Sequence, residues 1–193
     1  YSFPNHVLSR FADRGTGIPI RGLDEALSMY FDAEPTYALG TGFVDGTGAA
    51  ITEAVRAAQE SDLAIVTVGD IAGMFGGGTS GEGCDVETLA LPGRQGELLD
   101  AVLATGTPVV LVLITGRPYA IGEYADRCAA IVQAFMPGVE GAEAIVDVLS
   151  GTLNPSGRLP IAIPHTRGGQ PGTYLVPPLG WLSDGISNLD PRP

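Results

Sequence analysis

Residues 62–70 read Asp62-Leu63-Ala64-Ile65-Val66-Thr67-Val68-Gly69-Asp70. The stretch that follows, Ile71-Ala72-Gly73-Met74-Phe75-Gly76-Gly77-Gly78-Thr79-Ser80-Gly81-Glu82-Gly83-Cys84-Asp85, stops the apolar run dead. A continuous, largely β-branched run over 63–68 fits a strand buried on both faces, the pattern of a parallel sheet covered by helices. Seven glycines stand between positions 69 and 85. Glycine has no side chain to bury and loses the most backbone entropy on ordering, so this stretch is a sharply turning loop and not core. Asp70 marks the mouth of the strand and Glu82 the far part of the loop. Ligands of open α/β sheets bind beyond the carboxyl ends of the strands, which makes this loop the first candidate for a working site.

On either side of this stretch, helical and extended patterns alternate. Leu23, Ala26, Leu27 and Tyr30 recur at helical spacing over Leu23–Phe31, with Asp24 and Glu25 in the first turn where they complement the helix dipole. Pro35 ends that helix, and residues 36–39 are a short strand candidate. Residues 49–60 carry an apolar stripe of Ile51, Ala54, Val55 and Ala58 and are expected to be helical. Residues 93–104 form a further helix, with Leu98, Leu99, Val102 and Leu103 inward, before a second buried strand at 109–114. A shorter helix over 119–126, a third strand over 129–135 and a helix over 141–149 follow. Residues 159–163, flanked by Pro160 and Pro164, are expected as an edge strand, because proline cannot donate to a ladder. The alternation predicts an α/β fold: a three-layer sandwich with a mostly parallel sheet, helices on both faces and an irregular C-terminal tail. Residues 1–20 are an irregular lead-in to a domain over 1–175, and 176–193 are a Pro/Gly-rich tail or linker in which Trp181 is expected to anchor the tail.

The chain has 193 residues, 45% hydrophobic and 17% charged, enough for a sizeable core. A net charge of -12 argues against nucleic acid and anionic membrane surfaces as partners. No apolar run approaches the roughly 20 residues of a membrane span. Cys84 and Cys128 make neither a disulfide framework nor a CxxC metal pattern and are expected as free thiols. His6 and His165 lack metal-ligand spacing. The glycine loop lacks the lysine of a P-loop, and Ser80 does not sit in a nucleophile elbow. The chain opens on Tyr1 with no signal-peptide pattern, so it is expected to start inside a longer polypeptide.

Several segments, in order, resemble the C-terminal α/β-sandwich domain of glycoside hydrolase family 3, the family of many β-glucosidases and β-xylosidases. They are Ala64-Ile65-Val66-Thr67-Val68-Gly69-Asp70, Ser80-Gly81-Glu82-Gly83-Cys84-Asp85, Leu89-Ala90-Leu91-Pro92-Gly93-Arg94-Gln95 and Thr115-Gly116-Arg117-Pro118. Ala134-Phe135-Met136-Pro137-Gly138-Val139-Glu140-Gly141 continues the series, and Gly151-Thr152-Leu153-Asn154-Pro155-Ser156-Gly157-Arg158-Leu159-Pro160 is its most specific member.

The resemblance implies a retaining, exo-acting β-glycosidase in which a (β/α)8 barrel brings the nucleophilic aspartate and the sandwich brings the general acid/base. The matching glutamate here is Glu82. Met74 and Phe75 are the candidate aglycone contacts, in a part of the cleft that varies across the family. Asp85 is followed by Val86 where many members have Asp-Arg, a departure from the pattern; it remains a candidate substrate contact, as does Asp70. From the residues alone, Asp70 could equally cap a turn or bind loop amides, and Arg158 is expected to pair with a carboxylate beside a turn. The implied partners are a β-linked glucoside or xyloside and the barrel domain, with no metal or organic cofactor. Without a barrel the chain is expected to be inactive by itself. The alternative is a non-catalytic α/β module that binds a carbohydrate or a partner domain.

Overall fold

The computed structural model describes residues 21–32, 34–73 and 77–168. The lead-in over 1–20, the tail from 169 with Trp181, and the two candidate contacts Met74 and Phe75 lie outside the described residues. The elements run in the order α1 (Leu23–Phe31), α2 (Gly48–Gln59), β1 (Ala64–Gly69), α3 (Gln95–Leu103), β2 (Val109–Ile114), α4 (Gly122–Ala125), β3 (Ala130–Gln133) and α5 (Gly141–Leu149). β1, β2 and β3 form a parallel sheet in that order, with Ala64 opposite Val109 and Val110 opposite Ala130.

Side chains alternate across a strand, so a strand buried on both faces feeds two cores. β2 shows this directly. Val109, Leu111 and Leu113 pack with Ile51, Leu98, Leu99 and Val102 of α2 and α3. Val112 and Ile114 pack on the other face with Ile145 of α5 and Leu23 of α1. Leu99 and Leu111 are fully buried, and each such side chain contributes about 1.5–3 kcal/mol of hydrophobic stabilisation. The stripe read on α2 faces this core as its spacing predicts: Ile51 and Ala58 are buried in it, and Ala54 and Val55 pack against it. On the opposite face Arg21 donates to Glu143 at 2.7 Å and ties the start of α1 to α5. The result is the three-layer α/β arrangement expected from the alternation.

Three expected elements differ. Residues 36–39 form no strand, and Tyr37 and Leu39 are 67% and 65% exposed. A strand needs a hydrogen-bonded neighbour. An open groove of about 1010 Å³, walled by Thr36, Ala38 and Leu39 on one side and Ala64, Ile65 and Thr67 on the other, separates this segment from β1. Residues 159–163 are likewise irregular, with Leu159 and Ile161 exposed; Pro160 and Pro164 leave too few donors for a ladder. Arg158 is exposed there and makes no ion pair among the described residues, against the pairing expected for it. The helix expected over 119–126 shrinks to Gly122–Ala125, because the residues before it are tied elsewhere. The Ala120 N–H donates to the Leu89 carbonyl at 2.8 Å, and the Tyr119 hydroxyl is engaged by Asp70. Cys84 is buried, Cys128 is half-buried, and both are free thiols; burial raises the pKa of Cys128. Among the described residues no helix is long and apolar enough to cross a membrane.

Candidate functional site

The carboxyl ends of the three strands lie side by side, so the loops leaving them share one edge of the sheet. Asp70 is the first residue beyond β1. Its N–H extends the ladder by donating to the Ile114 carbonyl at 2.9 Å, and its side chain is only 3% exposed. One carboxylate oxygen accepts from Thr79 Oγ1 at 2.7 Å and from the Tyr119 hydroxyl; the other accepts from the Gly116 N–H at 2.9 Å. A buried carboxylate must be held by donors. Asp70 takes its donors from the glycine loop and from the loop after β2, and so joins the two. Tyr119 is itself buried. That burial, and then the hydrogen bond and charge of Asp70, raise its pKa far above the ordinary tyrosine value.

The glycine loop folds back on its own base. Thr79 N–H donates to the Ile71 carbonyl at 2.8 Å, Gly73 N–H to the Ser80 carbonyl at 2.8 Å, and Ile71 N–H to Thr79 Oγ1 at 2.9 Å. The return segment then makes a tight turn, closed by Cys84 N–H donating to the Gly81 carbonyl at 3.1 Å. Gly81 has φ 127° and Gly83 φ 70°, the left-handed region that glycine alone enters freely. A Cβ on Gly81 would also lie 1.9 Å from the Gly73 carbonyl oxygen. Glu82 sits between these two glycines, exposed, and among the described residues its side chain makes no hydrogen bond or ion pair. Asp85 is exposed as well.

Arg117, from the loop after β2, reaches into the glycine loop from behind. Its Nη2 donates to the Thr79 carbonyl at 3.1 Å and to the Cys84 carbonyl at 2.6 Å, the residues on either side of the turn that carries Glu82. The end of β3 is tied to the loop after β2 as well. Gln133 Nε2 donates to Thr115 Oγ1 at 2.9 Å, and Phe135, just past β3, holds φ 54°. Non-glycine residues in this region are uncommon and gather at functional sites. The backbone of Gly116 passes so close to Ser80 that a Cβ there would meet Ser80 Oγ at 2.3 Å.

Of the sequence-predicted residues, then, Glu82 and Asp85 are presented to solvent on one short segment, and Asp70 is turned inward and engaged by three protein donors. The segment carrying Met74 and Phe75 lies outside the described residues. Arg117, Tyr119 and Thr79 were given no role from sequence. Arg117 stood within the Thr115-Gly116-Arg117-Pro118 motif, and a basic residue in a short loop at the carboxyl edge of an acidic chain is a signal that could have singled it out. Gln95 was also passed over. It is buried at the start of α3, donating to the Gly69 carbonyl and accepting from the Gly69 N–H. Among the described residues no three histidine, cysteine, aspartate or glutamate side chains gather to hold a metal ion. Chemically, the edge offers an exposed carboxyl that can donate or accept a proton, on a turn whose base is fixed to the sheet.

The chain is 40% identical over 126 residues to a periplasmic beta-glucosidase of Salmonella typhimurium, covering 65% of this chain and 16% of that protein. It is 38% identical over 126 residues to a beta-xylosidase of Formosa agariphila, covering 65% and 17%. Among solved structures, the beta-glucosidase of Listeria innocua in complex with isofagomine superposes with a TM-score of 0.59 at 30% identity, over 66% of this chain and 17% of that one. The chain thus spans about a sixth of the length of these relatives. The sequence pattern of the domain described as "Glycosyl hydrolase family 3 C-terminal domain" matches residues 8–184, which includes every strand and helix of the sandwich and all three loops at its carboxyl edge. By that match the chain belongs to glycosyl hydrolase family 3, as its C-terminal domain.

Proposed function

We propose that this domain supplies the general acid/base, Glu82, of a retaining exo-acting β-glycosidase acting on β-linked glucosides or xylosides. The nucleophilic carboxylate comes from a barrel domain outside the described residues. The observation that carries this reading is the presentation of Glu82: an exposed carboxyl at the carboxyl edge of the sheet, on a two-glycine turn gripped from both sides by Arg117. The names of the relatives, beta-glucosidase and beta-xylosidase, support the substrate class.

In a retaining mechanism two carboxyl groups stand about 5–5.5 Å apart. One attacks the anomeric carbon; the other protonates the departing oxygen and then takes a proton from the incoming water. Asp70 is spent on Tyr119, Thr79 and Gly116, so on this reading Glu82 is the proton-transfer group and the nucleophile comes from the barrel. A general acid keeps its proton through burial or a like-charged neighbour. A second domain closing over this edge supplies both.

The test compares the intact polypeptide with its Glu82→Gln variant on aryl β-glucosides and β-xylosides of graded leaving-group acidity. The expected result is a loss that is large for poor leaving groups and small for activated ones, with azide restoring turnover on the activated substrates. A uniform loss, or none, overturns the assignment and favours a domain that binds without reacting.

A further inference from the structure

We infer that Arg117 is a positioning residue for the proposed proton donor, fixing where Glu82 stands by holding the backbone on both sides of its turn. This rests on the acid/base reading of Glu82 and deepens it.

The segment 80–83 has little means of holding its own shape. Two of its four residues are glycines with positive φ, and among the described residues the Glu82 side chain makes no hydrogen bond or ion pair. The constraint comes from outside. One guanidinium nitrogen, Nη2 of Arg117, lies between the carbonyls of Thr79 and Cys84, at 3.1 and 2.6 Å, so both ends of the turn are anchored to a single point. That point is rigid. Arg117 stands two residues beyond the fully buried Thr115 at the end of β2, and the intervening Gly116 N–H is held by Asp70. Asp70 also holds Thr79 through its hydroxyl, so Thr79 is fixed at its side chain by Asp70 and at its carbonyl by Arg117.

A lysine could not reproduce this. Its ammonium is a compact point charge, whereas the guanidinium is a planar fork of fixed donors. Arg117 is half-buried, and its Nε is buried without a hydrogen-bond partner among the described residues, so the base of the guanidinium is seated within the fold.

The experiment uses the intact polypeptide and three variants, Arg117→Met, Arg117→Lys and Glu82→Gln, on the same graded aryl glycosides. Displacement of a catalytic group by about 1 Å lowers turnover by about 100-fold. Arg117→Met is therefore expected to lose about 10- to 100-fold in kcat on poor leaving groups, with little loss on activated ones and KM nearly unchanged. Arg117→Lys should fall between Arg117→Met and the parent. Amide hydrogen exchange should speed up at 79–84 in Arg117→Met and stay unchanged in β1 and β2. The inference is overturned if Glu82→Gln shows the leaving-group dependence but Arg117→Met loses activity equally on all substrates, or loses none. A flat profile for Glu82→Gln overturns the acid/base reading and this inference with it. Should Arg117→Met fail to accumulate as folded protein, Arg117→Lys carries the same comparison, and a flat or parental profile there is equally decisive against it.

Discussion

Gln95 closes the outer edge of β1 at Gly69. Its side-chain amide accepts from the Gly69 N–H at 2.6 Å and donates to the Gly69 carbonyl at 2.8 Å, so one glutamine stands where a residue of a neighbouring strand would otherwise stand. Both partners are buried. Replacing Gln95 by leucine keeps the volume and orphans a buried donor and acceptor. A destabilisation of about 2–4 kcal/mol is expected from two unpaired backbone groups, read as a lower denaturation midpoint. A midpoint unchanged in Gln95→Leu would show that water serves Gly69 equally well.

Asp70→Asn tests whether the inward carboxylate is a structural tie. The amide cannot accept at both of its heavy atoms, so one of the three donors from Gly116, Thr79 and Tyr119 loses its acceptor. The expected cost is about 2–3 kcal/mol. If Asp70 instead met substrate directly, Asp70→Asn would raise KM while leaving the thermal midpoint where it was.

Tyr119 sets an alkaline limit. Burial and the charge of Asp70 hold its folded pKa above the unfolded value, so its stabilising contribution is complete below about pH 10. It declines as pH rises further, because the unfolded chain ionises there and the folded one does not. Stability curves taken through the alkaline range should steepen downward for the parent and less so for Tyr119→Phe. Parallel curves for the two proteins would contradict the placement of this hydroxyl.

Gly81→Ala should be far more damaging than Gly83→Ala. Both require positive φ, at about 1–2 kcal/mol for an L-residue, but a Cβ at Gly81 also collides with the Gly73 carbonyl oxygen. The turn must shift, and the activity proposed for Glu82 should drop with it. Turnover by Gly81→Ala equal to that of Gly83→Ala would mean that the loop relaxes freely.

Leu111→Ala and Leu159→Ala separate core from surface. Leu111 is fully buried in β2 and Leu159 is 56% exposed in an irregular segment. The first substitution is expected to cost about 2–5 kcal/mol and the second less than about 0.5 kcal/mol. Comparable losses would restore residues 159–163 to a packed edge strand.

These contrasts show what the sequence could and could not disclose. The runs 63–68 and 109–114 were legible as strands because burial on both faces leaves an unbroken apolar signature. Residues 36–39 and 159–163 have strand-like composition too, yet composition does not say whether a strand lies alongside to pair with, and among the described residues neither segment joins a ladder. Glu82 was singled out through a motif. The grip of Arg117 on Thr79 and Cys84 joins residues more than thirty positions apart, and no local pattern encodes such a pairing. The inward turn of Asp70 was one of two readings open at the strand's end, and it depended on donors from a loop that only the folded sheet brings near.

The parallel register has a bearing on how the chain is made. Parallel strands cannot be joined by a hairpin, and here Ala64 finds Val109 only after the whole glycine loop and α3 have been spanned. Closing so long a loop comes before any ladder bond repays it, which makes pairing of this kind intrinsically slow. A ribosome must therefore release β2 before β1 can pair with it, and for that interval the face of Ile65, Val66 and Val68 that β2 helps to cover is open to chaperones and to other nascent chains. Synonymous changes that slow decoding between β1 and β2 would lengthen that exposure without altering a single residue of the finished protein.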